Sequence, residues 1–323
     1  GGEGVLLHNG QFREDVVDLY IPGRGLDFVW KRSYQSGINL DGFPGKNWDF
    51  SYGAHFIVEY SGPNPIRGKF SRGDCRRDVY DNVSYQAGEH IFTTVPTGYV
   101  DLKTAVVTGS SEVRQTKRNG FKQTFDQATG RLKTRADRYG NTISLAYDTA
   151  GKLTAVTDTL SRAINLYYGT AADASEGRLT KVTDFASRSV SYEYAYAYVG
   201  GPPVLTKVLY PQTDWLDDTT SPDWTAKTNT SRTNQYEYDG TNARLTRTLD
   251  GRGKERLKNV FDVNGRVDYQ YNFSSGTVYH DFTWSVTSGK VTDVLWKDRV
   301  LSERKFYFDT TNYLSTKREV KYT

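Results

Sequence analysis

Thr142-Ile143-Ser144-Leu145-Ala146-Tyr147-Asp148-Thr149-Ala150-Gly151-Lys152-Leu153 decides the fold class of this 323-residue chain. Ile143, Leu145 and Tyr147 alternate with Thr142, Ser144 and Ala146. A period of two, carried by β-branched and aromatic residues, is that of a half-buried strand. Asp148 can bond its side chain to the backbone ahead, and Gly151 can supply the left-handed conformation that closes a turn. Leu153 then opens a returning strand, so the stretch predicts a hairpin.

The same grammar recurs along the chain. Phe125-Asp126 precedes Gly130-Arg131-Leu132, and Phe261-Asp262 precedes Gly265-Arg266-Val267. Tyr238-Asp239 leads to Ala243-Arg244-Leu245, and Phe308-Asp309 to Asn312-Tyr313-Leu314. Gly177-Arg178-Leu179 has the second half alone. The aromatics at 125, 147 and 168, and those at 238 and 261, place the units roughly two dozen residues apart. Tyr147, Phe261, Leu153, Leu179 and Leu245 are expected to face the sheet interior, with Gly130, Gly151 and Gly265 at positive φ. The Arg or Lys after each glycine is expected in solvent.

Each unit carries a second turn. Leu153 and Val156, like Leu179 and Val182, are three apart, which breaks alternation and predicts a bulge. Thr157-Asp158 with Ser161-Arg162, and Thr183-Asp184 with Ser187-Arg188, then form a polar turn. Asp137, Gly140 and Asn141 stand in that place one unit earlier. Ile164, Leu166 and Tyr168 alternate, and Val190, Tyr192, Tyr194, Tyr196 and Tyr198 are read as five positions on one face. Such short strands must pair with neighbouring units to be stable.

Composition narrows the class. Hydrophobic residues are 37% and charged residues 25%, and 42 Lys+Arg against 38 Asp+Glu leave a net charge of +4, too small to argue for a duplex-DNA binder. Apolar weight rests on 24 Tyr, 15 Phe and 6 Trp, which suits partly wet sheet faces. No stretch approaches a membrane-spanning helix, and no signal-peptide pattern opens the chain. A single cysteine, Cys75, excludes an internal disulfide framework and a Cys-rich zinc site. The sequence contains no methionine, which reads as a fragment, a processed product or an incompletely assigned chain.

Two regions follow. Residues 1–118 form a β-rich pre-repeat region, and residues 119–323 a repeat array with a loop insertion near 199–235. That insertion is drawn from Gly200-Gly201-Pro202-Pro203 and the polar run from Trp215 to Pro222. In the first region Val17, Leu19 and Ile21 alternate before a turn at Pro22-Gly23-Arg24-Gly25. Leu26 to Ser36, containing Trp30-Lys31-Arg32-Ser33-Tyr34, and then Asn47-Trp48-Asp49-Phe50 follow.

These residues resemble the RHS/YD-repeat family. Its repeat is named for Tyr-Asp followed by Gly-Arg-Leu, as at Tyr147, Asp148, Gly151 and Leu153. The block from Asp18-Leu19-Tyr20-Ile21-Pro22-Gly23 through Arg32-Ser33-Tyr34-Gln35-Ser36 to Trp48 is similar to the region before the repeats, with Asn47 where Gly is common. The resemblance covers nearly the whole chain. It implies an all-β fold, with antiparallel hairpins wound into a continuous spiral sheet that is part of a shell. In RHS effectors and toxin-complex subunits the shell encloses a C-terminal toxin, and in teneurins it serves adhesion. The family's Asp-Pro-rich autoprotease element has no counterpart here.

Candidate chemistry is sparse. His8, His55, His90 and His280 are scattered, without metal-ligand spacing. Cys75 lies among Arg72, Arg76 and Arg77, which could lower its pKa, but no base accompanies it. Asp262, Asn264 and Gly265 imitate part of a calcium loop and are already explained as a turn. Asn-x-Ser sites at Asn82, Asn229 and Asn272 carry no weight without a known compartment. The expectation is a non-catalytic scaffold, secreted or on a bacterial cell surface, with no catalytic, metal or cofactor residues nominated. Its partner would be an encapsulated toxin or effector. The alternatives are a self-assembling filament, sheath or adhesin joined through open sheet edges, or a glycan- or receptor-binding module.

Overall fold

The computed structural model describes residues 4–93, 102–107, 109–212, 231–272, 278–298, 302–309, 311 and 315–322. Among them a single antiparallel sheet of 20 strands runs in strict sequence order from Asn82–Gln86 to Ser315–Tyr322. Every strand of this sheet pairs with its chain neighbour, as hairpin connections dictate. The sheet begins at Asn82 and so takes in strands of the 82–118 interval as well. Pro203–Gln212 and Ser231–Tyr238 are paired strands at either end of the expected 199–235 insertion. Residues 213–230, with Trp215, Pro222 and Asn229, lie outside the described residues, as do Asn312 to Leu314.

Residues before Asn82 form smaller sheets. Val5–Leu6, Gln11–Ile21, Phe28–Gln35 and Trp48–Phe50 make one of four strands, and His55–Ser61, Asn64–Ser71 and Arg77–Tyr80 one of three. The four-stranded sheet shares one core with the covered face of the large sheet. Phe12, Phe28, Trp30, Tyr34 and Trp48 pack with Ile143, Val156, Ile164, Val182, Val190, Leu205, Val267 and Val294. That core draws on each of the twelve consecutive strands from Thr142–Tyr147 to Lys290–Asp298. Laid flat, twelve strands would span about 50 Å, and four strands about 15 Å. Both can contribute to one core only if the large sheet winds around the small one. A second core joins Phe56, Phe70 and Tyr80 to Phe92, Val113, Phe125 and Leu132 at the start of the large sheet.

The repeat grammar is now visible in register. Tyr147 pairs with Leu153 but Ala146 with Ala155, so Thr154 is the bulged residue. Leu153 and Val156, then Leu179 and Val182, are all buried, as the three-residue spacing predicts. The bulge residue is repeatedly threonine, and its Oγ1 donates to a carbonyl across the bulge. Thr154 donates to Ala146 O at 3.2 Å, Thr180 to Tyr167 O at 3.2 Å, Thr206 to Glu193 O at 3.1 Å and Thr246 to Glu237 O at 3.1 Å. Each satisfies a main-chain acceptor near the place where the bulge disrupts the ladder.

Gly130, Gly151 and Gly265 have φ of 73°, 82° and 80°. A Cβ at Gly151 would also fall on the guanidinium of Arg131. Gly151→Val is expected to destabilise by about 1–3 kcal/mol through backbone strain. An unchanged thermal midpoint would contradict that. Ser161, Ser187 and Ala243 also adopt positive φ, at 61°, 64° and 54°, a role the sequence reading gave only to glycine and Asn312.

Two alternations need correction. Val17 is exposed and Asp18 buried, because a bulge between Val17 and Leu19 reverses the phase of the strand. Of the five residues from Val190 to Tyr198, Val190 and Tyr192 are buried and Tyr194 is half-buried. Tyr196 ends the strand at 55% exposure, after a bulge at Glu193/Tyr194.

Candidate functional site

Convergent polar chemistry lies where the pre-repeat strand Phe28–Gln35 meets the repeats. Alternation turns Phe28, Trp30, Arg32 and Tyr34 inward, and each is fully buried. A cation therefore sits in the aromatic row. Its Nε and Nη2 donate to the Asp18 carboxylate in a two-pronged ion pair, and both side chains are wholly enclosed. Three tyrosines from three repeat strands close around the pair. Tyr192 and Tyr210 donate to Asp18 at 3.0 and 2.9 Å, and Arg32 Nη2 donates to Tyr236 Oη at 3.2 Å. Asn234 donates to Tyr210 Oη at 2.9 Å. The Arg32 guanidinium lies over Trp48, 4.7 Å from the ring centre, where cation–π attraction in a dry site adds to the ion pair.

The neighbouring aromatics continue the seam. Trp30 donates to Tyr192 Oη and Trp48 to Tyr238 Oη, both at 2.9 Å, and the Leu245 amide donates to Tyr34 Oη at 2.9 Å. Burial by itself pulls the Arg32 guanidinium down, but Asp18 and the tyrosine oxygens outweigh it and push it well above its ordinary value. Burial drives the Tyr192 hydroxyl well up, and Asp18 adds to the effect. The ion pair is neutral overall and fully enclosed, with Arg32 Nη1 alone of its nitrogens left without a hydrogen bond, which suits a latch between two sheets.

A second pattern explains why the repeat asks for tyrosine. Tyr147 donates to Leu132 O at 2.8 Å, Tyr168 to Leu153 O at 2.9 Å and Tyr194 to Leu179 O at 2.6 Å. Each hydroxyl thus reaches the leucine carbonyl of the unit before it. Where Phe261 has no hydroxyl, Asn259 donates to Leu245 O at 3.3 Å instead. Tyr168→Phe is expected to cost about 1–2 kcal/mol, the value of a lost hydrogen bond plus a stranded carbonyl. Urea titration checks it, and a neutral result would remove the ladder's energetic role.

The cation after each glycine also reaches forward. Arg131 lies over Tyr147, Lys152 over Tyr168 and Arg244 over Phe261, 5.7, 5.3 and 5.7 Å from the ring centres. The expectation that these side chains simply face solvent is corrected, because the next unit's aromatic provides a surface for their stems.

The turn aspartates behave as the motif requires. Asp158 and Asp184 each accept two backbone amides and hold Arg162 and Arg188. Burial raises Asp158, but Arg162 and the amides of Arg162 and Leu160 outweigh it and hold the carboxyl low. Thr129 lowers Asp126, Asn141 lowers Asp137 and the Lys254 amide lowers Asp250. Burial shifts Asp49 and Asp268 the other way. A depressed carboxylate contributes stability above its unfolded value, here 3.8, and loses it as the pH falls through the folded value. The thermal midpoint is therefore expected to fall below about pH 4, as the depressed group outnumbers the raised one. Melting curves at pH 5, 4 and 3 test this, and a midpoint that holds or rises would refute it.

Other candidates resolve into structure. Cys75 is buried, and its Sγ donates to Ser33 O at 3.1 Å. Burial and the nearby Asp49 push its thiol up, while Arg72 and Arg76 are held by Asp78. The lowering that the neighbouring arginines could have caused is thus absent, and the thiol is shifted the other way. His280 accepts from Trp296 Nε1 at 3.0 Å, and His90 packs on Tyr85. Asp262 accepts the amides of Asn264 and Arg266 at 2.8 Å, as a turn residue does. No cluster of three or more metal-ligating side chains occurs among the described residues. No helix there is long and apolar enough to cross a membrane.

Comparison with known proteins follows the same division. Residues 2–66, the part that carries Asp18, Arg32 and Trp48, match a family model described as a domain of unknown function, DUF6531. No curated protein matches the chain by sequence. Among solved structures, the TcdB2-TccC3-Cdc42 complex aligns with 11% identity and a TM-score of 0.38, over 92% of this chain and 21% of that one. The Photorhabdus luminescens Tc holotoxin pore aligns with 11% identity and a TM-score of 0.26, over 97% and 21%. The N-terminal domain of the effector SpvB from Salmonella typhimurium strain LT2 aligns with 11% identity and a TM-score of 0.21, over 95% and 99%. The chain spans about a fifth of the length of the toxin-complex chains it matches.

The continuous antiparallel sheet, with Tyr147-Asp148 before a turn and Gly151-Lys152-Leu153 after it, is the arrangement that the resemblance to YD-repeat proteins implies. In its repeat grammar and its all-β fold the chain resembles the RHS/YD-repeat family.

Proposed function

We propose that this chain is a non-catalytic wall element of a secreted toxin shell, and that it forms the filled end of the spiral. The observation that carries the reading is the seam at Arg32. The pre-repeat sheet occupies the covered face of twelve repeat strands, and a buried ion pair with three tyrosines fixes it there. A toxin or effector would then be held beyond this segment, where the covered face is free of the pre-repeat sheet. A sealed Arg–Asp pair supports a holding role, because reactants need access and a proton route that this enclosure denies.

Electron microscopy of the purified chain across a concentration series tests the proposal. Discrete particles of constant size are expected. Regular filaments or sheets with a fixed repeat would overturn it in favour of polymerisation through open strand edges.

A further inference from the structure

A cleft separate from the Arg32 seam lies where the turn Leu7–Gly10 meets two successive repeat turns. We propose that this cleft, lined by His8, Asn9, Gln11, Arg244, Arg266 and Lys290, binds a tetrahedral oxyanion of the phosphate or sulfate type. Three cations from three chain segments line it, and of these Arg266 is held by Asp262 at 3.4 Å. Arg244 is half-buried and stacks on Phe261, yet its guanidinium makes no ion pair or hydrogen bond among the described residues. A half-buried guanidinium among other cations repels them and leaves its donors unmet, and an anion would remove both costs.

The neutral groups point the same way. Asn9 Oδ1 already accepts from the Gln11 amide at 3.0 Å, and Gln11 Oε1 accepts from Gln35 Nε2 at 2.6 Å. Each carbonyl oxygen thus already has a donor, and each side-chain NH2 remains to be offered. The lining therefore presents donors, arranged as guanidinium forks, an ammonium and amides, the chemistry suited to a tetrahedral anion. The cleft is also held in shape. The Val267 amide donates to Gly10 O at 2.8 Å, and Gly10 lies against the root of Arg266, where a Cβ would clash. A bound anion would tie the pre-repeat turn to the repeats at a second point.

Isothermal titration of the whole chain with inorganic phosphate, sulfate and glycerol phosphate, at fixed ionic strength in a chloride buffer, tests the site. Saturable one-to-one binding is expected, at least about tenfold weaker in Arg244→Gln and in Lys290→Gln and unchanged in Arg252→Gln. Lys290 is exposed, so its variant reports on binding even where loss of the Arg244 stack disturbs folding. Tighter binding of glycerol phosphate than of phosphate would assign the oxyanion to a phosphorylated molecule, and the reverse to a free ion. Absence of saturable binding, or affinity unchanged in both variants, would overturn the proposal.

Discussion

Asp18→Ala is expected to lower the free energy of unfolding by about 3–5 kcal/mol, because it leaves the Arg32 cation enclosed without its counter-ion. Tyr192 and Tyr210 lose their acceptor in the same step. Arg32→Ala should cost a similar amount for the mirror reason, stranding a buried carboxylate and opening space beside Trp48. The informative comparison is the pair Asp18→Leu with Arg32→Met. Removing both charges removes the stranded ion, so the double variant should recover much of the loss. Urea denaturation followed by tryptophan fluorescence would read all three. If either single variant lost less than about 1 kcal/mol, the pair would be no more than a surface-like contact, and the latch would fail.

Trp30→Ala is expected to cost about 3–5 kcal/mol, as for other large core truncations. The more telling outcome is the shape of the transition. Trp30 lies on the pre-repeat sheet and Leu179 in the repeats, but both belong to one core. Leu179→Ala should therefore cost about 2–5 kcal/mol in the same cooperative step. Two separate transitions, with only the first shifted by Trp30→Ala, would mean that the pre-repeat region folds alone and merely rests on the repeats.

Much of this fold was readable because its repeat is local. Asp148, Gly151 and Leu153 specify a hairpin without reference to anything distant, and alternation assigned Ile143 and Ile164 to the covered face. Bulges were harder. Leu153 and Val156 betrayed theirs by spacing, but the bulge at Asp18 left no such trace, and the apolar run Val17, Leu19, Ile21 hid it. The latch was missed although a signal existed. Arg32 stands between Trp30 and Tyr34 on the inward phase, and a cation there demands a buried partner. Which carboxylate answers is a matter of tertiary contact, so periodicity alone could not name Asp18. The tyrosine ladder was likewise hidden, because Leu153 and Tyr168 meet only once their two strands have paired in register.

The seam at Arg32 also sets a timetable. Neighbouring repeat strands can pair as soon as each hairpin is made, whereas Arg32 and Tyr236 are 204 residues apart. At ordinary synthesis rates of about 5–20 residues per second, Arg32 is made about 10–40 s before Tyr236. The pre-repeat segment, made before the repeats, is thus among the last of these elements to be completed. Until then its aromatic strand waits uncovered, and any factor that shields a nascent chain would find its client there.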